Sequence, residues 1–192
     1  DVEDFLALFG DMEEEEEYVL EDVHDAKQQE LAEEGKRHLD NCDYQKAAEV
    51  LEKIDTKDPE MLFARNNLAL SYYCLKKVDK AVDITQKVLA CDPENIHANC
   101  NMAMFLNKED HEAACKYIEK AIDRQKNTQD DLYKIAITYC EIGEHEKALQ
   151  YLENILKMAP YDEKVLFCAA VASFNMRRYT DAVNYFADII KM

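Results

Sequence analysis

The sequence repeats itself with a period of 34 residues, and this periodicity limits the fold more than any single motif does. Its clearest mark is a column of alanines at intervals of 34, 33, 34 and 34 residues: Ala47, Ala81, Ala114, Ala148 and Ala182. A second column of small residues precedes the first by twelve positions, or by eleven in the third copy: Gly35, Ala69, Ala103, Ala136 and Ala170. The three prolines follow alanines of the first column by twelve positions: Pro59, Pro93 and Pro160. Columns that share one period indicate about five copies of one supersecondary unit.

Each unit is predicted to be a pair of short helices joined by a polar turn. In "LFARNNLALSYYCL" and "AVDITQKVLA" the apolar residues recur at i, i+3, i+4 and i+7, the spacing of one helix face. An Asp-Pro pair ends the second helix, because proline cannot continue the hydrogen-bond ladder. The small residues are expected where the two helices cross, since larger side chains would force the backbones apart. Further along the second helices we expect core pairs: Leu51/Ile54, Thr85/Val88, Ile118/Ala121, Leu152/Ile155 and Phe186/Ile189.

This pattern resembles the tetratricopeptide repeat. The resemblance covers five units: 28–61, 62–95, 96–128, 129–162 and 163–192. It is carried by Gly35, Tyr72 and Tyr139 together with the alanine and proline columns. It implies an all-α fold, a right-handed α-solenoid of antiparallel helix pairs with a concave groove, and residues 1–27 are then an acidic N-terminal arm or a capping helix.

The sequence departs from the family pattern in three respects. The tryptophan that the family favours in the first helix is replaced by other residues: Leu31, Arg65, Asn99, Leu132 and Leu166. The third unit is one residue short, which we assign to the turn "LNKEDHE", and Lys126 stands where a proline is expected.

No further repeat covers the last unit, so we expect the side chains of Phe186 and Ile190 to be partly exposed. The missing initial Met and a last residue within a helical pattern suggest a fragment.

Composition excludes several classes of partner. The net charge is −18, and residues 1–25 hold twelve acids and no Lys or Arg, so the chain would repel a phosphate backbone and no nucleic acid is expected. No apolar run is long enough to cross a membrane. The seven scattered cysteines are odd in number and form no CxxC pair, which indicates reduced thiols and a cytoplasmic location.

Catalytic and metal-binding motifs are not expected. The segment "HEAAC" at residues 111–115 differs by one residue from HExxH, but Cys115 replaces the second histidine and no obvious third ligand follows. The repeat explains the segment, because His111 and His145 occupy equivalent turns. His97 and Cys100 are interpreted as a half-exposed helical pair. With three glycines, a phosphate-binding loop is almost excluded, so we predict no enzyme, no cofactor and no metal.

The resemblance implies that first helices line the concave groove. The side chains predicted to line it are Phe63, Asn66, Asn67, Leu70, Tyr73, His97, Asn101, Met104, Tyr133, Lys134, Ile137, Phe167 and Phe174. Amides bind a peptide backbone whatever its sequence, and aromatic residues with Met104 offer adaptable apolar surface. Helix packing is an equal alternative for Leu70, Ile137 and Val171, and a solvated face is an equal alternative for Asn66, Asn67 and Asn101. The clamp that some family members use for acidic chaperone tails matches in one position of five, so such tails are not expected partners.

The N-terminal segment "FLALF" carries three large apolar residues, Phe5, Leu8 and Phe9, at i, i+3 and i+4. This spacing places them on one side of a helical turn, so the segment is a candidate docking arm. Three alternatives stay open: a helix that covers the first unit, docking in a groove of this or a neighbouring molecule, and disorder.

These features favour a noncatalytic scaffold that binds an apolar or amphipathic peptide segment of another protein. One alternative is a regulatory sensor domain for a short signalling peptide. Another is self-association, either through the arm or through the uncapped C-terminal helix.

Overall fold

The computed structural model describes residues 25–54, 61–122 and 127–192. These residues form helices and turns and contain no strand. A first helix, α1, covers residues 25–40. Nine more follow: α2 Tyr44–Leu51, α3 Leu62–Cys74, α4 Val78–Cys91, α5 Ile96–Leu106, α6 His111–Ile122, α7 Gln129–Glu141, α8 His145–Met158, α9 Glu163–Asn175 and α10 Tyr179–Lys191. The predicted all-α solenoid class is confirmed. None of the described helices combines the length and apolar character that a bilayer crossing requires.

The helices form two compact parts, which differ from the repeat units of the sequence. We call them unit 1 (residues up to Leu75) and unit 2 (residues from Lys76). In unit 1, α2 packs on α3, and Leu51 of α2 lies directly beside Gly35 of α1. Tyr72 of α3 donates a hydrogen bond to Glu52. Burial, together with this bond, raises the pKa of Tyr72 to about 12.

In unit 2, the pairs α5/α6, α7/α8 and α9/α10 pack internally, and each pair also packs on the next. One core cluster lies between the first two pairs and includes Ile118, Ile135 and Tyr139. A second lies between the last two pairs and includes Leu152, Ile155 and Val165. At the first junction α7 packs on both α5 and α6, and at the second junction α9 packs mainly on α8.

The small-residue columns lie where the periodicity places them. Gly35 is buried, and the nine alanines of the two columns are at most 3 % exposed. The core pairs from Leu51/Ile54 to Leu152/Ile155 are also buried. Thr85 fits this environment because its hydroxyl donates to the carbonyl of Ala81 at 2.8 Å. Phe186 and Ile190 are 37 % and 85 % exposed, as expected for the last unit.

The turns inside the pairs share one backbone conformation, with one exception. In most of them a three-residue turn places its middle residue in the left-handed region, as at Cys42 (φ 60°), Gly143 (φ 89°) and Arg177 (φ 61°). The exception joins α5 to α6 and has four residues, Asn107–Asp110. The shortening of the third unit therefore falls in α5, which has 11 residues where α7 has 13, and not in the turn.

Polar side chains cap the first helices of unit 2. Asn95 accepts from the backbone of Ala98 at 3.0 Å at the start of α5. At the start of α7, Thr128 and Asp131 form a reciprocal capping box. These caps fix the residues at which α5 and α7 begin.

Candidate functional site

The thirteen residues predicted to line a groove lie on four helices. Five belong to α3 in unit 1: Phe63, Asn66, Asn67, Leu70 and Tyr73. Eight belong to α5, α7 and α9 in unit 2: His97, Asn101, Met104, Tyr133, Lys134, Ile137, Phe167 and Phe174. We call the outward surface of α5, α7 and α9 the first-helix face. The docking-arm residues Phe5, Leu8 and Phe9 lie outside the described part of the chain.

On α3 the candidates differ in exposure. Phe63 is 48 % exposed, and Asn67, Leu70 and Tyr73 are half-buried. Asn66 is 5 % exposed, so its amide is not accessible to a bound peptide. In unit 1 the candidate surface is thus more apolar than the sequence suggested.

On α5 and α7 two candidates are joined by a hydrogen bond. Lys134 donates from Nζ to Oδ1 of Asn101 at 3.2 Å. Asn101 is 2 % exposed, because α7 packs on α5 and Lys134 covers it. Burial lowers the pKa of Lys134, although the nearby Cys100 opposes that shift. The ammonium has three N–H donors and donates one of them to Asn101, so it can also donate to a backbone carbonyl of a bound peptide. His97 is exposed, and Met104 and Ile137 are half-buried.

On α9 an apolar stripe faces outward. Phe167, Val171 and Phe174 are 54 %, 36 % and 58 % exposed, and they follow one another at i, i+4 and i+7. The Phe167 ring meets Phe186 edge-on at 6.1 Å, and the Phe174 ring meets Tyr179 edge-on at 5.5 Å. These contacts orient the two phenylalanine rings and leave more than half of each side chain open. We call these three residues the α9 stripe.

A cleft of about 340 Å³ lies beside the stripe. Its walls come from α7, α9 and α10: Tyr133, Glu163, Lys164, Phe167, Cys168 and Ile189. The Tyr133 hydroxyl lies 3.6 Å from Sγ of Cys168, and burial raises the pKa of Tyr133. The phenol is therefore a neutral donor at physiological pH. A second cleft, of about 190 Å³, shares Tyr133 and Lys164 with the first.

Glu163, Cys168 and Ile189 were not predicted as site residues. Ile189 occupies a position that is buried in the earlier repeats, where the next pair covers it. Within the described chain, no later pair packs on α10, so the same position lines a cleft. The prediction of Phe186/Ile189 as a core pair is therefore wrong: Phe186 is exposed, and Ile189 is half-buried and lines this cleft.

The comparisons with known proteins agree with this architecture. The profile of the family described as anaphase-promoting complex, cyclosome, subunit 3 matches residues 107–189. A solved structure of pilF from Pseudomonas aeruginosa is 19 % identical, covers 88 % of this chain and 77 % of its own, and has a TM-score of 0.61. The type IV pilus biogenesis factor PilW is 23 % identical, with coverage of 84 % and 75 % and the same TM-score. A crystal structure of MamA is 21 % identical, with coverage of 82 % and 92 % and a TM-score of 0.51. No curated protein matches the sequence.

At these identities the solved structures establish the fold. The fold is that of a repeat protein built from stacked helix pairs.

Proposed function

We propose that this member of the tetratricopeptide-repeat family is a noncatalytic scaffold that holds an apolar or amphipathic peptide segment of another protein on its first-helix face. The α9 stripe carries this proposal. A globular helix normally turns one apolar face to the core and a polar face to water. Helix α9 already buries Val165, Leu166 and Ala169. A second apolar face on the same helix marks an interaction surface, because exposed apolar patches cost solubility unless they serve a contact.

The chemistry around the stripe supports an amphipathic guest. A helical segment with apolar anchors at i, i+3 or i+4, and i+7 would match the spacing of the stripe. One anchor fits the cleft between Tyr133, Phe167 and Ile189. Lys164 at the edge of this cleft favours a carboxylate or a carbonyl oxygen of the guest, and the ammonium of Lys134 offers a further donor.

The family match supports a place in an assembly. The matched profile describes a subunit of the anaphase-promoting complex, and residues 107–189 include α6, α7, α8 and α9 entirely. The proposal keeps the cytoplasmic location predicted from the scattered cysteines.

Selection from a display library of helical peptides on the intact chain tests the proposal. Phe174 keeps about half of an aromatic side chain of 150–250 Å² open to a guest, so burying it contributes about 2–3 kcal/mol at about 25 cal/mol per Å². Phe174→Ser should therefore weaken the selected peptides by roughly 30- to 150-fold. Peptides enriched for paired apolar anchors are the expected result.

Met158→Ser is the matched control. Met158 is 64 % exposed and lies on α8, outside the first-helix face. Affinity should stay within twofold of wild type in this variant, and circular dichroism should report an intact helical fold in both. Selected peptides that bind Phe174→Ser as tightly as wild type would refute the proposal.

Self-association is the second candidate function, and the outward side of α10 favours it. Val183 and Ile190 are 65 % and 85 % exposed on that helix. Sedimentation velocity over a hundredfold concentration range tests it with Ile190→Lys and with a chain that lacks residues 1–12. Loss of association in the first variant assigns it to α10, and loss in the second assigns it to the arm. A monomer at every concentration excludes this candidate.

A further inference from the structure

Three side chains with metal-binding atoms meet on the side of unit 2 formed by second helices. His111 begins α6, Cys115 lies one turn later, and Glu144 directly precedes α8. Nε2 of His111 is 3.1 Å from Oε1 of Glu144 and 3.7 Å from Sγ of Cys115. The three ligand atoms all lie within 4.8 Å of one another, and no other His, Cys, Asp or Glu trio in the described chain is so arranged.

The repeat explains why Glu144 lies next to His111 and Cys115. Glu144 follows His111 by 33 residues, so it lies in the equivalent turn of the next helix pair. Ala114 of α6 and Ala148 of α8 belong to one core cluster. The segment "HEAAC" therefore supplies two ligands, and the neighbouring repeat supplies the third.

The orientation of His111 is set by a fourth residue. Oδ1 of Asn107, in the four-residue turn, lies 2.7 Å from Nδ1 of His111 and accepts a hydrogen bond from Nδ1–H. Nε2 then points at the thiol and the carboxylate. A neutral ring would set the Nε2 lone pair against a carboxylate oxygen at 3.1 Å, so this contact is attractive only when a proton or a cation lies between the two atoms. An amide oxygen on the other ring nitrogen is the usual outer contact of a metal-bound histidine.

Lys147 also faces this group. Its Nζ is 3.4 Å from Oε2 of Glu144 and lies over the Tyr139 ring at 5.5 Å. The lysine thus uses the second oxygen of the carboxylate and leaves Oε1 directed at His111. Burial, with a smaller effect of Glu144, raises the pKa of the Cys115 thiol, so the sulfur carries its proton when no cation is present.

We propose that His111, Cys115 and Glu144 bind a zinc-class divalent cation, with a fourth position open to water or to a group from a partner. Zinc takes nitrogen, sulfur and oxygen ligands at about 2.0–2.3 Å, so the edges of a tetrahedral site measure about 3.3–3.6 Å. Two of the observed separations, 3.1 and 3.7 Å, are close to these edges, whereas the thiol of Cys115 and the carboxylate of Glu144, which lie within 4.8 Å, move closer together on binding. A thiolate ligand selects against magnesium and calcium. On binding, the S–H bond of Cys115 and the Nε2–H bond that His111 directs at Glu144 both break, the two protons pass to solvent, and Nε2 of His111 gives the freed lone pair to the metal.

The site is independent of the proposed peptide-binding role. It lies on α6 and at the start of α8, whereas the peptide is placed on α5, α7 and α9. A bound cation would link successive helix pairs and so stabilise unit 2.

Cobalt titration of the reduced, intact chain tests the proposal, because a thiolate ligand gives Co²⁺ a near-ultraviolet charge-transfer band. We expect one equivalent to produce the band, zinc to displace it, and zinc to raise the melting temperature. Cys115→Ser should abolish the band. Glu144→Gln should weaken zinc at least tenfold in competition with a chromophoric chelator, and it preserves the fold because this side chain makes no cap hydrogen bond.

Cys91→Ser is the matched control, because Cys91 is an exposed thiol outside the site and its loss should leave the band unchanged. The proposal is overturned by a band that persists in Cys115→Ser, by a band lost equally in Cys91→Ser, or by unchanged zinc affinity in Glu144→Gln.

Discussion

Replacing Gly35 with alanine should destabilise unit 1, although alanine is the better helix former. Gly35 lies in α1 where that helix crosses α2. A methyl group at this position would overlap Cγ and Cδ2 of Leu51 and would lie 3.1 Å from its Cδ1. Leu51 is 2 % exposed, so it has little room to move away.

Two opposing terms set the magnitude. Exchange of glycine for alanine within a helix contributes about 0.5–1 kcal/mol in favour of folding. Overpacking of a buried site costs about 1–3 kcal/mol. The overlap involves Cγ, the branch point of a buried side chain, so we expect overpacking to exceed the helix gain. The net loss should be about 0.5–2 kcal/mol.

A double-mutant cycle with Leu51→Ala separates the two terms. Leu51→Ala alone should cost about 2–5 kcal/mol. In that background the overlapping atoms are gone, so Gly35→Ala should stabilise by about 0.5–1 kcal/mol. Urea denaturation followed by circular dichroism gives the global values, and hydrogen exchange of the α1 and α2 amides gives the local ones.

A change of sign between the two backgrounds is the decisive result. If Gly35→Ala stabilises the wild-type chain, or has the same effect in both backgrounds, the crossing of α1 and α2 does not require a residue without a side chain.

Three further predictions concern other parts of the chain. Thr128→Ala should cost about 1 kcal/mol in urea denaturation because it removes the capping box with Asp131, whereas Thr128→Ser should lose far less; equal losses would contradict the cap. The hydrogen bond from the His111 imidazole holds the pKa of Glu144 below its ordinary 4.5. The stability that this carboxylate contributes is therefore present above pH 4.5 and is lost as the pH falls below it. Without added metal, the melting temperature should fall more in wild type than in Glu144→Gln between about pH 5.5 and 3.5, and parallel curves would refute this. Leu152→Ala, at a site with no exposure, should cost about 2–5 kcal/mol, whereas Ile190→Ala on the open side of α10 should stay within about 0.5 kcal/mol; similar losses would contradict the placement of the core.

The architecture followed from the sequence because it depends on residue size at a fixed period. A small residue at a helix crossing leaves the same mark in every copy, so the alanine columns could be assigned before any coordinates. The early end of α5 is not indicated by any residue type in the sequence. "LNKEDHE" contains no proline or glycine, and the helix ends at Leu106 because of the turn that follows and not because of a breaker.

The site was less predictable, because helical periodicity gives the direction of a side chain but not what the neighbouring helix covers. Asn101 was expected at the surface, yet Lys134 from α7 covers it. Similarly, "HEAAC" alone offered two ligands. Glu144 joins them only through the stacking of turns one repeat apart, which a reading of one helix cannot reveal.

Substitutions in the left-handed turns should increase the stability of this protein. Cys42 and Arg177 adopt φ values of 60° and 61°, a conformation that costs residues other than glycine about 1–2 kcal/mol. The extra chain entropy that glycine loses on folding is smaller, about 0.5–1 kcal/mol. Glycine at these two exposed positions should thus raise the free energy of unfolding, and it leaves the α9 stripe and the side chains of His111, Cys115 and Glu144 unchanged. Removal of Cys42 would also leave one accessible thiol fewer to oxidise during purification.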